Sequence, residues 1–295
     1  TVRRDGSSKF ADGQRWGTFP SVSAAWTISE EEFLKNANLG WLDILKLRIG
    51  YGVLGNQNIP EYGYTTIYSP GFVNNDIKLD PEDGRYGNKG ITWEKQKQSN
   101  FGLDATLWND RITLGLDYFS MVNSDLLMKM SYWPSFGYSY QIANVAELQN
   151  KGIEFSVSAQ MVKSKDWNWS VSGNIAHDKN KIKKLFGGVD VLWNGGNVKS
   201  RDGNLFVGQS LNTLWGYKVN RLAQESDMSM VNGWTSIVDG KVIRPGDLLP
   251  EDINKDGKIT AEDDMTILGK TDPKFYGGFS TNLNYRDFYF DAVFT

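Results

Sequence analysis

Phe101-Gly102-Leu103-Asp104-Ala105-Thr106-Leu107-Trp108-Asn109-Asp110-Arg111-Ile112-Thr113-Leu114-Gly115-Leu116-Asp117-Tyr118 decides the fold. Phe101, Leu103, Ala105 and Leu107 alternate with Gly102, Asp104 and Thr106. After Trp108-Asn109-Asp110-Arg111, Ile112, Leu114, Leu116 and Tyr118 alternate with Thr113, Gly115 and Asp117. Successive side chains of a strand point to opposite faces. The stretch therefore predicts a hairpin with one continuously apolar face and one polar or small face. A soluble sheet with its apolar face inward reads the same way. The recurrence of this hairpin, with tight turns at one end and very long loops at the other, narrows the choice. Short periplasmic turns, long extracellular loops, an apolar lipid-facing surface and a polar lumen are the features of an outer-membrane β-barrel.

Outward from that hairpin, about eight strand-like segments can be read. Val22, Ala24 and Trp26 alternate with Ser21, Ser23 and Ala25, and Leu45, Leu47, Ile49, Tyr51 and Val53 alternate with Lys46, Arg48, Gly50 and Gly52. Ile153 to Met161 turns at Lys163-Ser164-Lys165-Asp166 into Trp167 to Ile175. Phe275 to Tyr285 turns at Arg286-Asp287 into Phe288 to Phe294. In an up-and-down meander every second connection shares a side. The loops near 55–90, 123–150 and 178–272 are accordingly expected outside the cell, and the turns near 27–43, 108–111, 162–166 and 286–287 in the periplasm. Within 27–43, Ser29 and Glu32 have capping-box spacing and predict a helical turn. Lys46 and Arg48 are expected to face a wet lumen, meeting an anionic substrate or pairing with plug carboxylates.

Composition removes several function classes. A net charge of -3 gives no electrostatic case for nucleic acid. With no Cys and one His, neither a disulfide framework nor a thiolate or His-rich metal site can be built. The 11 Trp suit the aromatic girdles of a barrel. No apolar run is long enough for a transmembrane helix, which leaves barrel strands untouched as a possibility. The opening Thr1-Val2-Arg3-Arg4-Asp5 is not a signal peptide, and the closing strand pattern runs to Thr295; the chain reads as an internal piece of a longer protein. An alternative of another class is a secreted, calcium-stabilised β-sandwich that binds glycans. Strand length separates the two, because sandwich strands average about 5–6 residues and these runs extend further.

A family resemblance rests on Arg4-Asp5-Gly6-Ser7-Ser8-Lys9-Phe10, Arg15-Trp16-Gly17-Thr18-Phe19-Pro20-Ser21, Gly50-Tyr51-Gly52-Val53-Leu54-Gly55-Asn56, Trp93-Glu94-Lys95, and Gly246-Asp247 with Asp252-Ile253-Asn254-Lys255-Asp256-Gly257. In order and along nearly the whole chain, these resemble the SusC/RagA family of TonB-linked outer-membrane transporters. One departure is Leu248-Leu249-Pro250-Glu251, where the family more often has an aromatic and basic lead-in. The resemblance implies an all-β fold, with residues 1–295 part of a single outer-membrane barrel domain of roughly 22 strands. The plug domain would lie elsewhere. It also implies active import of oligosaccharides or peptides, energy from TonB–ExbB–ExbD, a SusD-like surface lipoprotein as partner, and no enzymatic step.

One motif is sharp. In residues 252–263, Asp252, Asn254 and Asp256 occupy positions 1, 3 and 5 of a calcium-type loop, Gly257 the turn, Lys258 the carbonyl position and Asp263 the closing position. Ca2+ is the expected ion, with a structural role inside the long outside loop 178–272. Tyr132, Trp133, Phe136, Tyr138 and Tyr140 form an aromatic cluster in another outside loop, readable as a stacking platform for substrate or partner or as loop packing. His177 beside Asp178 lacks a nucleophile motif and reads as a solvated loop residue, as do Lys179, Lys181, Lys183 and Lys184.

Overall fold

The alternating segments assemble into one antiparallel meander. Its strands are β1 (Val2–Gly6), β2 (Trp16–Thr27), β3 (Leu42–Asn56), β4 (Glu94–Leu107), β5 (Ile112–Ser131), β6 (Tyr140–Lys163), β7 (Trp167–Lys184), β8 (Tyr276–Tyr285) and β9 (Phe288–Phe294). Each pairs with its neighbour in sequence, and the pair Arg85–Tyr86 adds in parallel to the start of β6, completing a 10-stranded sheet. This computed structural model describes residues 1–73, 76–132, 134–193, 203–231 and 233–295. The chain divides into two units: residues 1–188 with 273–295, which hold the sheet, and 189–272, inserted between β7 and β8.

Register turns the alternation into rows that cross the sheet. One row runs Trp26, Leu47, Leu103, Leu116, Phe155 and Ile175; the next runs Leu45, Ala105, Leu114, Val157, Gly173, Phe279 and Phe294. Most of these large side chains stay exposed. An apolar face this broad has no place in water and is what a barrel turns toward lipid. The Trp169 indole on that face is satisfied: its Nε1 donates to Thr281 Oγ1 at 2.9 Å. At the turn end, the Trp167 and Tyr285 rings pack tilted at 4.2 Å between centroids, in the position of an interfacial girdle. The sandwich alternative fails here, because among the described residues every other sheet has only two strands.

The strands outrun the expected loops. β5 has 20 residues and β6 has 24, roughly twice the 9–11 needed to cross a bilayer. Residues 123–150, expected as a loop, are largely paired strand, from Asn123 opposite Leu148 to Ser131 opposite Tyr140. Two register shifts between Asn123 and Leu127, with Asp125 at φ 57, break the alternation and hid the continuation. β7 likewise continues through the lysines to Lys184, and Ile182 there is buried. His177 is thus a strand residue, its ring 5.0 Å from that of Phe275 and its Nδ1 against the Lys274 carbonyl. β1 was unreadable because Val2-Arg3-Arg4-Asp5 does not alternate; it exists through its pairing with β2. The helix after β2 spans Glu32–Asn36 with Glu31 as N-cap, and no side-chain cap bond forms from Ser29.

Above the apolar rows, a small core gathers the connecting segments. Phe10, Phe19, Ile59, Ile91, Trp93 and Ile142 are buried together, with Val53, Tyr64, Leu127 and Tyr140 against them. The Trp93 indole donates to the Arg15 carbonyl at 3.2 Å, so its polar atom is satisfied. The second unit has its own core of Ala223, Val231, Trp234, Ile243 and Leu249. Leu248–Pro250 pairs with Val219–Leu222. Burial of Leu249 explains why an apolar lead-in stands before the acidic loop.

Leu114→Arg and Leu103→Arg in the assembled barrel should each cost about 2–4 kcal/mol, the range for a cation at mid-bilayer depth. Thr113→Gln, on the other face, should stay within about 0.5 kcal/mol. Unfolding midpoints in lipid would check this, and equal damage on both faces would point to a two-sided dry core.

Candidate functional site

The face opposite the apolar rows is built from small polar side chains. Thr106, Thr113, Ser158, Ser172 and Ser280 stand in one row across β4 to β8, and Ser172 and Ser280 share a hydrogen bond of 2.6 Å. The neighbouring row is Lys46, Asp104, Gly115, Ser156, Asn174 and Gly278. Such a surface offers hydrogen bonds without bulk, which suits a wall facing water and a polar solute.

Arg48 organises the charges on this wall. From β3 it donates to Asp104 on β4 through Nε at 2.6 Å and Nη2 at 2.8 Å, and through Nη2 to Asp117 on β5 at 3.0 Å. The guanidinium spans three strands because Gly102 lies between. A Cβ at Gly102 would sit 2.5 Å from Arg48 Cζ and 2.6 Å from Asp117 Oδ1. Arg48 therefore takes its carboxylates from the wall itself, where the sequence pointed to plug carboxylates or a substrate. Asp104 and Asp117 could not be singled out from sequence, since their nearness to Arg48 depends on pairing register. These side chains are each about two-fifths exposed, so each contact is worth about 1 kcal/mol or less.

The β5–β6 tip brings three of the sequence-singled aromatics together. Tyr132, Phe136 and Tyr138 meet at 5.1 to 6.0 Å between ring centroids. Tyr86, which sequence reasoning missed, stacks on Tyr138 at 4.5 Å. Tyr140 is separate: it packs on the Phe10–Trp93 core and carries Lys129 Nζ 4.6 Å from its ring centroid. Trp133 lies outside the described residues. Phe136 remains well exposed, leaving one open ring on an otherwise packed cluster.

In the second unit, the acidic loop is folded around its first residue. Asp252 accepts the backbone N–H of Lys255 at 2.6 Å, Asp256 at 3.2 Å and Gly257 at 2.8 Å. Asn254 accepts Asp256 N–H and Asp256 accepts Lys258 N–H. Gly257 has φ +81, which favours glycine. The loop is fixed to the unit's core by Ile259 and by the Trp234 indole, which donates to the Gly257 carbonyl at 2.7 Å. Asp263 pairs with the Thr260 hydroxyl at 3.4 Å. Its neighbour Asp264, missed in sequence, is fully buried and ties the loop ends by accepting Ile253 N–H at 2.9 Å and Thr260 N–H at 2.7 Å. Adjacent Asp residues give no signal of which one turns inward. Among the described residues, no three acidic or histidine side chains are gathered as they would be around a metal ion. The hard oxygen set is nevertheless the kind calcium takes. Nearby, Arg221 and the Gln224 N–H hold the Asp227 carboxyl down to about 2. Its contribution is fully present above the ordinary carboxylate range and is lost progressively as pH falls from that range through about 2.

The chain matches the family model "TonB dependent receptor-like, beta-barrel" over residues 1–288. It is 30% identical over 324 residues to a TonB-dependent receptor of Formosa agariphila, covering 100% of this chain and 30% of that protein. It is 40% identical over 200 residues to the TonB-dependent receptor SusC of Bacteroides thetaiotaomicron, covering 64% of this chain and 19% of that protein. Among solved structures it is similar to the RagAB peptide transporter, with a TM-score of 0.78 and 25% identity over 99% of this chain and 30% of that chain. The chain spans 30% or less of the length of these curated relatives.

Removing Arg48 leaves Asp104 and Asp117 without their shared cation, with Glu154 directly opposite Asp117 and only Lys46 opposite Asp104. Arg48→Met should lower stability by about 1–2 kcal/mol through like-charge repulsion. Adding Asp104→Asn and Asp117→Asn should recover more than half. Thermal unfolding of the four combinations measures the coupling; additive losses would mean the three side chains do not act together.

Proposed function

The chain belongs to the TonB-dependent receptor-like β-barrel family and is of the SusC/RagA type, an outer-membrane barrel wall, and on that premise we propose that it serves an active nutrient importer. The proposed cargo is an oligosaccharide or a peptide, delivered with a SusD-like surface lipoprotein and moved with energy from TonB–ExbB–ExbD. The observation that carries this reading is the division of the sheet into a lipid-facing apolar surface and an inner wall of hydroxyls, amides and internally paired charge. A wall whose arginine is already neutralised gives a polar solute many weak hydrogen bonds and no strong trap. Passage needs contacts of that kind. No bond-breaking step is assigned to the chain, in keeping with relatives named as receptors and transporters. The likeness to a peptide transporter supports peptide among the candidate cargoes.

Tyr132, Phe136 and Tyr138 are proposed as a contact for cargo or lipoprotein, since an exposed ring backed by two others is held rigidly and costs little entropy to use. In cells making the full-length transporter, uptake of fluorescent oligosaccharides or peptides should require both TonB and the lipoprotein. Phe136→Ala should weaken capture without disturbing barrel assembly. Uptake unchanged on deletion of TonB would overturn active import.

Calcium is proposed for residues 252–263. Asp252, Asn254, Asp256 and the Lys258 carbonyl would hold the ion, with Asp263 turning from the Thr260 hydroxyl to join them. The ion would screen repulsion among the carboxylates and stiffen the loop. Sites of the extracellular kind have dissociation constants of about 10⁻⁴–10⁻³ M, so millimolar calcium should slow proteolysis near Lys255 and Lys258 in the full-length transporter. Asp256→Ala should abolish that protection. Cleavage indifferent to calcium, chelator and substitution would leave the acidic segment as a turn alone.

A further inference from the structure

Charge is sorted by face along β4 to β7 as far as the row of Gln149 and Lys181; one position beyond, Glu147 takes the outward side of β6. The inner-face positions hold Asp104, Asp117, Glu154 and Asp178. The outward-face positions above the apolar rows hold Lys97, Lys151, Lys179 and Lys181, together with Ser99, Ser120, Val122 and Gln149. No acidic residue occupies an outward position in these rows. The four lysines are exposed, and among the described residues none has a carboxylate partner.

Their placement is costly when nothing answers it. Lys151 and Lys179 are direct partners in the β6–β7 register, and Lys181 stands one outward position further along, opposite Gln149. Like charges opposite one another across strands repel. Sequence neighbours offer no relief, because Asp178 and Glu154 point to the other face.

Depth indicates what could answer it. On β4 to β6 the last apolar residues are Phe101, Tyr118 and Ile153, in one row that ends at His177 on β7; the row above it starts with Val22 and Tyr51 on β2 and β3 and changes to Ser99, Ser120, Lys151 and Lys179 on β4 to β7. From the girdle residue Trp167 up to His177, β7 climbs about 25 Å at roughly 3.3 Å per residue and a tilt of roughly 40°. That height is about that of the apolar band of an outer-membrane barrel. Lysine stems can lie along apolar surface while the ammonium reaches the interface. The ammonium groups therefore sit at headgroup level on the outer rim, continuous with the lipid-facing surface.

We propose that Lys151, Lys179 and Lys181, with Lys97 beside them, form a docking site for the phosphorylated headgroup of an outer-leaflet lipid. This rests on the membrane-spanning reading of the sheet and adds to it a specific lipid contact. Phosphate supplies the missing anion, and acyl chains below it cover the Phe101, Tyr118 and Ile153 row. The site would anchor the wall in register with the leaflet surface beside the β5–β6 stem.

The test uses the purified full-length transporter in nonionic detergent. Native mass spectrometry would follow binding of bisphosphorylated lipid A and of its dephosphorylated form. Wild type should bind the phosphorylated lipid at least about tenfold more tightly than Lys151→Gln/Lys179→Gln/Lys181→Gln, and half-molar salt should shrink the difference. The corresponding triple Lys→Arg variant should retain binding, and Lys163→Gln/Lys165→Gln at the opposite rim should match wild type. The dephosphorylated lipid should not distinguish the variants. Equal binding by wild type and the Gln variant would overturn the proposal. So would full competition by millimolar inorganic phosphate, or a Gln variant that keeps lipid and loses its lipoprotein partner. Heat-modifiable migration on gels separates the two levels: a chain that never inserts as a barrel defeats the membrane reading, whereas an inserted barrel indifferent to phosphate defeats only the lipid site.

Discussion

Inside a bilayer a backbone N–H finds no water, so every strand must be laddered on both sides for the whole of its crossing. β4 meets this condition: its residues pair with β3 from Leu107 to Glu94 and with β5 from Leu107 to Lys95. The same ladder fixes which side chains see lipid. A slip of one residue would bring Asp104 and Asp117 to the lipid and Leu103 and Leu116 to the lumen. The large penalty for that exchange is what makes the register unique. The rows of leucine and aromatic residues, the serine and threonine row, and the Arg48 bridge are all consequences of one pairing.

Long insertions are compatible with this arrangement because each has an apolar core to pack on. Closing a longer loop adds entropy cost only slowly. In the connection between β3 and β4, Ile59, Ile91 and Trp93 pack with Phe10, Phe19 and Ile142, and in the second unit Val231, Trp234, Ile243 and Leu249 pack together. The acidic loop is attached to the second of these through Ile259 and the Trp234 indole, so ordering there can stabilise the second unit.

The membrane-crossing segments were readable where every inner-face residue is small or polar, as in 45–53, 101–118 and 153–175. Reading failed where local geometry departs from alternation. Asp125 in a left-handed conformation and two register shifts disguised the upper β5 and β6 as loop. The polar start of β1 has no pattern, and only β2 makes it a strand. Of the candidate sites, Tyr132, Phe136 and Tyr138 were legible because they are close in sequence. Tyr86, Asp104, Asp117 and Asp264 were not, since each reaches its partner through pairing or through a turn that composition does not encode. The lysines of β7 illustrate the converse: read along the chain they resemble a solvated run, and only the cross-strand register shows that Lys179 and Lys181 share a face with Lys151.

The paired stem of β5 and β6 also constrains how this surface can diverge among descendants of a common ancestor. Adding one residue to one strand would invert the facing of everything beyond it or force a new bulge. Adding two residues to each strand preserves the facing and raises the aromatic tip by about 6–7 Å before tilt. Substitutions at Pro134 to Ser139 change the tip without altering its height. Evolution of reach on this hairpin should thus proceed in discrete steps of matched pairs, while evolution of taste proceeds freely at the crown.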